Sequence, residues 1–211
     1  AIQSNQNDQH GGQSVPNFDY GMAPGVKKAY KRLYVTNLGK MLDFLEDVED
    51  GVERMKALEG KIEHEYGVFP CMAWDNNYAE LELAELKKIV PEAEAMKMQD
   101  RSRKFADKEI RRKTYQAMEA FIHNLNTMHS RAGAQVPFSS INYGTDTSPE
   151  GRLVMESVML ATEAGLGNGE TPIFPIQIFK VKEGVNYNPE DPNYDLFKLA
   201  CKVSAKRLFP N

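Results

Sequence analysis

Apolar residues recur along residues 24–64 at the spacing of one face of an α-helix. The pattern predicts a helix that begins near Pro24 and carries a single apolar stripe. The stripe consists of Val26, Tyr30, Leu33, Met41, Leu45, Val48, Val52, Met55 and Ile62. Gly39, Gly51 and Gly60 lie inside it, so we expect a kink or a break. A helix of this kind packs against a partner helix, and the pattern leaves open whether that partner belongs to the same chain or to a second copy.

The segment 66–101 departs from this pattern and is predicted to be an insertion. Pro70 and Pro91 interrupt it, and one short charged helix is expected over 78–90. A second long helix is predicted over 105–129, with an apolar face made of Ile110, Met118, Phe121, Ile122, Leu125 and Met128. Cations crowd its beginning, namely Arg101, Arg103, Lys104, Arg111, Arg112 and Lys113. We interpret them as a solvated basic face, with a phosphate or acidic-partner site as the alternative.

Short segments with the composition of β-strands alternate with helices. They cover residues 13–19, 136–143 and 172–182. The third is almost continuously apolar and would be buried on both faces if Gln177 found a partner. Strands separated by helices pair in parallel through helical crossovers, and three strands cannot close a barrel. The sequence therefore predicts a helix-rich α/β fold in which these strands form one arc of a larger barrel sheet, accompanied by long helices of the kind that form dimers.

Two shorter helices follow from local capping signals. Ser148 is a favourable N-cap and Pro149 suits the first helical position, while the glycines within 165–169 predict the end of that helix. The last helix is predicted from Asp191-Pro192 to about residue 208.

The composition is that of an ordinary globular protein, with 41% apolar and 27% charged residues. The formal net charge of -4 provides no basic excess for nucleic acid or a membrane surface. No apolar run approaches the roughly 18–20 residues of a membrane span. Two cysteines far apart, Cys71 and Cys201, indicate a reducing compartment, so we expect a cytoplasmic location. Both ends of the sequence have the character of positions inside a longer protein.

Sequence motifs of familiar catalytic centres are missing from the chain. It contains no P-loop, no G-x-G-x-x-G and no H-E-x-x-H. The four histidines are scattered, and no two share metal-ligand spacing with a cysteine. We interpret Cys71 as structural and Cys201 as a small hydrophobe on the apolar side of the last helix. No residue is therefore predicted to be catalytic or to bind a metal.

Three segments could nevertheless hold a ligand. The loop 129–135 contains small residues that let the backbone approach a ligand, together with the planar donors of Arg131 and Gln135. A tight helix-to-strand connection is the simpler interpretation. The loop 167–172 has ordinary turn chemistry. Four cations within six residues, Lys27, Lys28, Lys31 and Arg32, could hold a triphosphate or form a solvated face.

Several longer stretches match one protein family in order along the chain. They are GGQ at 11–13, NFD at 17–19, SRAGAQVPF at 130–138, SINYGT at 140–145, GNGETPIFP at 167–175, GVN at 184–186, DPNYD at 191–195 and RLFPN at 207–211. Through them the chain resembles an internal part, 1–211, of the large subunit of anaerobic (class III, glycyl-radical) ribonucleoside-triphosphate reductases. We recognise no such match in the segment 67–101.

The resemblance implies an enzyme that converts ribonucleoside triphosphates to deoxyribonucleoside triphosphates by glycyl and thiyl radical chemistry, with formate as reductant. It also implies a ten-stranded α/β barrel, a homodimer, ATP and deoxynucleotide (dNTP) effectors, a structural zinc and a radical-SAM activating protein. The family's catalytic cysteines, finger loop, glycyl-radical domain, zinc module and ATP-cone would all lie outside this segment. The segment alone is therefore expected to be inactive and to hold no cofactor.

The residues that match the family's regulatory positions lie in two places. Lys31 or Arg32 matches a cation that holds effector phosphates. The loop that matches the family's specificity loop consists of Ser130, Arg131, Ala132, Gly133, Ala134 and Gln135. The alternative hypothesis is a stand-alone, non-catalytic helical module for nucleotide binding or protein interaction, derived from the same family.

Overall fold

The computed structural model describes residue 2 and residues 11–128 and 136–211. Its elements are β1 (Gln13–Val15), α1 (Phe18–Glu46), α2 (Gly51–Tyr66), α3 (Asn76–Leu86), α4 (Glu92–Thr127), β2 (Ser139–Tyr143), α5 (Pro149–Ala164), β3 (Ile176–Phe179) and α6 (Tyr194–Arg207). The chain divides into two compact units. We call Ala1–Pro24 with Lys113–Asn211 the sheet unit and Gly25–Arg112 the helical unit.

The sheet unit contains the predicted parallel sheet. Among the described residues the strand order is β1-β2-β3, and both pairings are parallel. Val15 pairs with Ile141, which pairs with Gln177. Helices α5 and α6 pack on each other, and their buried faces form the core of this unit with the inward side chains of β2. The parallel, helix-rich architecture is confirmed, whereas the larger barrel stays a prediction.

Gln177 has the partner that its place in an apolar strand required. Its side chain is buried, its Oε1 accepts a 2.7 Å hydrogen bond from the Tyr143 hydroxyl, and its Nε2 donates to Thr162 Oγ1 at 2.7 Å. Because a buried amide without partners would be costly, these two bonds explain how the strand tolerates it.

The capping signals around α5 are confirmed. Ser148 Oγ accepts a hydrogen bond of 3.1 Å from the backbone N–H of Gly151, and Pro149 occupies the first turn. The helix ends at Gly165, whose φ of 85° is one that a residue with a Cβ rarely adopts.

A buried carboxylate fixes the loop that follows β2. Asp19 Oδ2 accepts hydrogen bonds from the backbone N–H groups of Gly144, Thr145 and Asp146 at 3.0, 3.0 and 3.1 Å. Asp19 has no exposed surface, so these bonds replace its hydration. This role of Asp19 could not be predicted from the sequence, because its partners are backbone groups more than a hundred residues away.

The long helical pattern of the sequence forms two helices in the helical unit. Residues 47–50 separate α1 from α2, which confirms the expected break. The apolar stripe of α1 was predicted incorrectly in part, since its buried apolar residues after Pro24 are Val26, Tyr30, Tyr34, Val35, Leu38 and Leu42. Leu33 and Met41 are half-buried and Leu45 is 40% exposed. The spacing of three and four residues among the buried side chains marks a face rotated from the one we predicted.

The two helices meet at a pair of glycines. A Cβ on Gly39 would lie 2.4 Å from Val52 Cα, and a Cβ on Gly51 would lie 2.4 Å from the carbonyl oxygen of Gly39. Asp43 Oδ1 also accepts a 2.6 Å hydrogen bond from the Gly51 N–H. The partner helix for α1 is therefore present in the same chain, and the dimer seam stays a prediction.

The segment 66–101, whose role as an insertion stays a prediction, differs from the predicted helix boundaries. It contains α3, but its last ten residues are the first turns of α4, which begins at Glu92 and not near residue 105. The buried face of these turns consists of Ala95, Met98, Ser102 and Ala106. Three of the four are small, so the apolar periodicity on which the prediction depended is weak there.

The basic residues of α4 lie within the helix and not at its beginning. Lys104 pairs with Asp100 at 2.7 Å, and Arg112 pairs with Glu109 at 2.7 Å. Such exposed pairs at helical spacing are typical of a solvated face, the interpretation favoured from the sequence.

Cys201 does not occupy the position we predicted. It is exposed, because the buried residues of α6 are Leu196, Ala200 and Val203, and one residue beyond Ala200 the helix has turned by about 100°. Cys71 is half-buried and its Sγ donates to the carbonyl oxygen of Ala73 at 3.0 Å. Among the described helices, none combines the length and the apolar character that a membrane crossing requires.

Candidate functional site

A pocket of about 250 Å³ lies between α1 and α2 in the helical unit. Its lining residues are Lys28, Lys31, Arg32, Val35, Thr36, Lys56 and Glu59. Four are cations and one is a carboxylate, while Val35 and Thr36 contribute apolar surface. A small pocket with an apolar wall and several cations suits part of an anionic organic ligand.

Helical spacing explains why these cations come together. Lys28 and Arg32 are four residues apart on α1 and therefore lie one above the other on the same face. Lys56 comes from α2 and lies on the opposite side of the pocket. All three side chains belong to exposed residues, so they can reach a ligand that enters from solvent.

Lys31 is already engaged by two carboxylates. Its Nζ lies 2.7 Å from Glu59 Oε1 and 2.7 Å from Glu63 Oε2. Burial lowers the pKa of Lys31, but the two carboxylates outweigh that effect, and the pKa lies above the ordinary lysine value. Lys31 therefore stays charged and is neutralised by α2, which leaves it a structural role at the edge of the pocket.

Arg32 is the better candidate of the two predicted effector cations. Within the described part of the chain, the structure records no ion pair for Arg32 or for Lys28. Their charge is thus available to an anion. A guanidinium also presents several donors in a plane, which matches the oxygens of a phosphate.

An aromatic ring occupies the other side of the same basic stretch. Lys27 Nζ lies 4.7 Å and Lys31 Nζ lies 5.6 Å from the ring centroid of Phe69. These distances allow cation–π attraction. The four cations of the sequence motif therefore differ in their contacts. Lys27 lies over Phe69, Lys28 and Arg32 line the pocket, and Lys31 does both.

A buried carboxylate network stabilises the helices behind the pocket. Glu82 of α3 accepts hydrogen bonds from the hydroxyl of Tyr34, from the hydroxyl of Tyr78 at 2.7 Å and from Nε2 of Gln99 at 2.9 Å. Burial raises the pKa of Glu82, while the three donors act in the opposite direction. The network joins α1, α3 and α4 through Tyr34, which precedes the pocket residue Val35 in the sequence.

The sequence reasoning missed Lys56, Glu59, Glu63 and Glu82. The first three are spaced at three and four residues on α2, which marks one helical face, but nothing in the sequence showed that this face meets Lys31. Glu82 resembled an ordinary surface residue of a charged helix.

The other predicted ligand segments give different outcomes. The loop 130–135 lies outside the described residues, so its role stays a prediction. The loop 167–172 shows the expected turn chemistry, since Gly169 has a φ of 84° and the Asn168 N–H donates to Glu170 Oε2 at 3.0 Å. Arg207 Nη1 further secures this turn by donating to the Gly169 carbonyl at 2.8 Å.

No group of three or more His, Cys, Asp or Glu side chains has a metal-binding arrangement within the part of the chain that the structure describes.

Comparison with known proteins identifies the family of this chain. The family model described as anaerobic ribonucleoside-triphosphate reductase matches residues 1–211. The chain is similar to the protein of that name from Escherichia coli K12, with 36% identity over 108 residues, which cover 51% of this chain and 15% of that protein. It is also similar to the protein of that name from Enterobacteria phage T4, with 35% identity over 125 residues, which cover 59% of this chain and 20% of that protein. The matched part is thus one fifth or less of the length of these relatives.

Proposed function

Because this chain belongs to the anaerobic ribonucleoside-triphosphate reductase family, we propose that it forms part of an enzyme that converts ribonucleoside triphosphates to deoxyribonucleoside triphosphates by glycyl and thiyl radical chemistry. The family match along the whole chain supports this proposal. We assign no catalytic step to any described residue, since Cys71 and Cys201 match no catalytic position of the family. Formate, the structural zinc and the radical-SAM activating protein belong to the proposal for the whole enzyme.

The role we propose for this segment is binding of a deoxynucleotide effector at the pocket between α1 and α2. The observation that carries the proposal is the difference in ion pairing between Lys31 and Arg32. Lys31 is neutralised by Glu59 and Glu63, whereas Arg32 beside it lines the same opening and has no ion pair among the residues that the structure describes. An unneutralised guanidinium at a pocket is suited to a phosphate oxygen.

The pocket is smaller than the roughly 300–1,000 Å³ usual for a complete small-molecule ligand. It therefore suits the phosphates of a nucleotide and leaves the base outside. We propose that the loop Ser130 to Gln135 couples effector identity to substrate choice.

The sheet unit would provide strands of the family's barrel. The backbone of Asn211 supports this role, because its N–H donates to the Gln177 carbonyl and its carbonyl accepts from the Phe179 N–H, both at 2.9 Å. These two bonds pair Asn211 with β3, so backbone pairing of the sheet includes a residue outside its three strands. Homodimer formation through the long helices is part of the same proposal.

A deoxynucleoside triphosphate should raise the melting temperature of the protein, and Arg32→Ala should reduce that rise. A ligand that binds only the folded state at about 100 times its Kd stabilises by about 2.7 kcal/mol, which corresponds to roughly 5–10 °C for a chain of this size. The measurement is a thermal melt of each variant with and without each of the four deoxynucleotides.

Arg54→Ala is the matched control, because Arg54 is an exposed arginine of α2 whose ion pair with Asp50 lies outside the pocket. It should keep the full nucleotide-dependent rise. Absence of any rise at millimolar nucleotide, or an equal loss in both variants, would count against the effector role.

A further inference from the structure

Two fixed contacts on either side of the pocket hold α1 and α2 at a set separation. On one side, the backbones of Gly39 and Gly51 touch, and a Cβ on either glycine would collide with the opposite helix. On the other side, Lys31 is joined to Glu59 and Glu63 at 2.7 Å. Lys31 and Glu59 themselves line the pocket, and Arg32, Val35 and Thr36 lie between the two contacts along α1. This part of the pocket is therefore positioned before any ligand arrives.

The wall formed by α2 carries a cation that the family resemblance did not indicate. Lys56 lines the pocket from this helix, opposite Lys28 and Arg32. The nearest carboxylate recorded for Lys56 Nζ is that of Glu53 at 3.7 Å, and both side chains are largely exposed. An exposed pair at that distance is weak, so the charge of Lys56 remains available to a ligand.

These positions favour a ligand with more than one phosphate. A single phosphate can be held by the cations of one wall. A linear chain of phosphates carries charge along its length, so it can engage the cations of both walls together. The second contact is then made at high effective concentration because the first already holds the ligand.

We propose, on the basis of the effector role above, that Lys56 is a specificity-determining cation of this pocket and that the site clamps a linear triphosphate between α1 and α2. Lys28 and Arg32 bind from α1, and Lys56 binds from α2. The clamp therefore discriminates between triphosphates and monophosphates by phosphate-chain length.

Inorganic tripolyphosphate and orthophosphate are the probes that test this clamp without a nucleobase. Titration calorimetry on the full chain should show tripolyphosphate binding at least about tenfold tighter than orthophosphate. Lys56→Ala should weaken tripolyphosphate binding about tenfold, the loss of one charge-assisted contact, and change orthophosphate binding little. Lys56→Arg should restore most of the affinity for tripolyphosphate.

Lys61→Ala is the matched control, since Lys61 is an exposed lysine of the same helix that does not line this pocket. It should leave both affinities nearly unchanged. Equal weakening by Lys61→Ala and Lys56→Ala would overturn the clamp. It would show that any positive charge on α2 contributes equally, without a specific contact from Lys56. Equal affinity for the two probes would overturn it as well.

The same variants separate the clamp from the effector role. If a deoxynucleotide raises the melting temperature in an Arg32-dependent but Lys56-independent way, the clamp is wrong and the effector role stands. If tripolyphosphate binding depends on Lys56 while no deoxynucleotide stabilises the protein, the clamp stands and the effector role is wrong.

Discussion

Replacement of Glu82 by alanine should lower the free energy of unfolding of the helical unit by about 3–5 kcal/mol. Glu82 is 1% exposed and is the common acceptor for Tyr34, Tyr78 and Gln99. Its removal takes the acceptor from the hydroxyls of two fully buried tyrosines, and each unsatisfied buried group costs about 1–3 kcal/mol. Gln99 Nε2 still donates to the carbonyl oxygen of Ala79 at 2.9 Å. The cavity left by the side chain adds to the loss.

Urea denaturation followed by tryptophan fluorescence measures this effect. Trp74 is the single tryptophan of the chain, and its ring lies 5.5 Å from that of Tyr34 and 6.1 Å from that of Tyr78 between centroids. Its emission therefore reports on the region that the substitution disturbs.

Two further variants show whether the hydrogen-bond network is responsible. Glu80→Ala removes an exposed carboxylate from the same helix and should change stability by less than about 0.5 kcal/mol. Glu82→Gln keeps an acceptor oxygen and the side-chain volume, so it should lose less than Glu82→Ala. A loss below about 1 kcal/mol for Glu82→Ala would show that the network contributes little.

The second large effect is expected where α1 and α2 cross. Gly39→Ala should destabilise the helical unit by about 2–3 kcal/mol, the upper part of the usual range for overpacking. The added Cβ would lie 2.4 Å from Val52 Cα and 2.6 Å from Val52 N. These are backbone atoms, so no side-chain rotation can relieve the collision and the helices must separate.

Gly60→Ala is the control for helix propensity. Gly60 lies within α2, and a Cβ there would meet nothing within 4 Å. Alanine should therefore stabilise the helix by about 0.5–1 kcal/mol at this position. Opposite signs for the two substitutions in the same urea titration would confirm the close crossing, whereas stabilisation by both would contradict it.

Local signals predicted the sheet unit well. Ser148, Pro149 and Gly165 mark the ends of α5 through the conformations and hydrogen bonds of their own residue types, so their effect depends on few distant contacts. The alternation of strands and helices likewise determined the parallel pairing of β1, β2 and β3.

Local signals predicted the helical unit less well. The first turns of α4 bury Ala95, Ser102 and Ala106, which contribute little to an apolar pattern, so the start of the helix was missed. The buried face of α1 was predicted incorrectly because exposed and buried apolar residues are close together in the sequence, as Leu42 and Leu45 show. Which stripe is buried depends on the neighbouring helices, and these are far apart in sequence.

The candidate site was predicted in the same uneven way. The cations around Arg32 were visible as a cluster, and the family resemblance singled out Lys31 and Arg32. The difference between them could not be predicted, because it arises from Glu59 and Glu63 on another helix. Lys56 entered the site for the same reason, through the crossing at Gly39 and Gly51.

A crystal structure of this chain with a bound deoxynucleoside triphosphate would test the effector pocket most directly. We expect the phosphates between α1 and α2, with oxygens within hydrogen-bond distance of the Arg32 guanidinium and the Lys56 ammonium. The ion pairs of Lys31 with Glu59 and Glu63 should remain in place. A fully occupied nucleotide whose phosphates contact neither Arg32 nor Lys56 would contradict the proposed site.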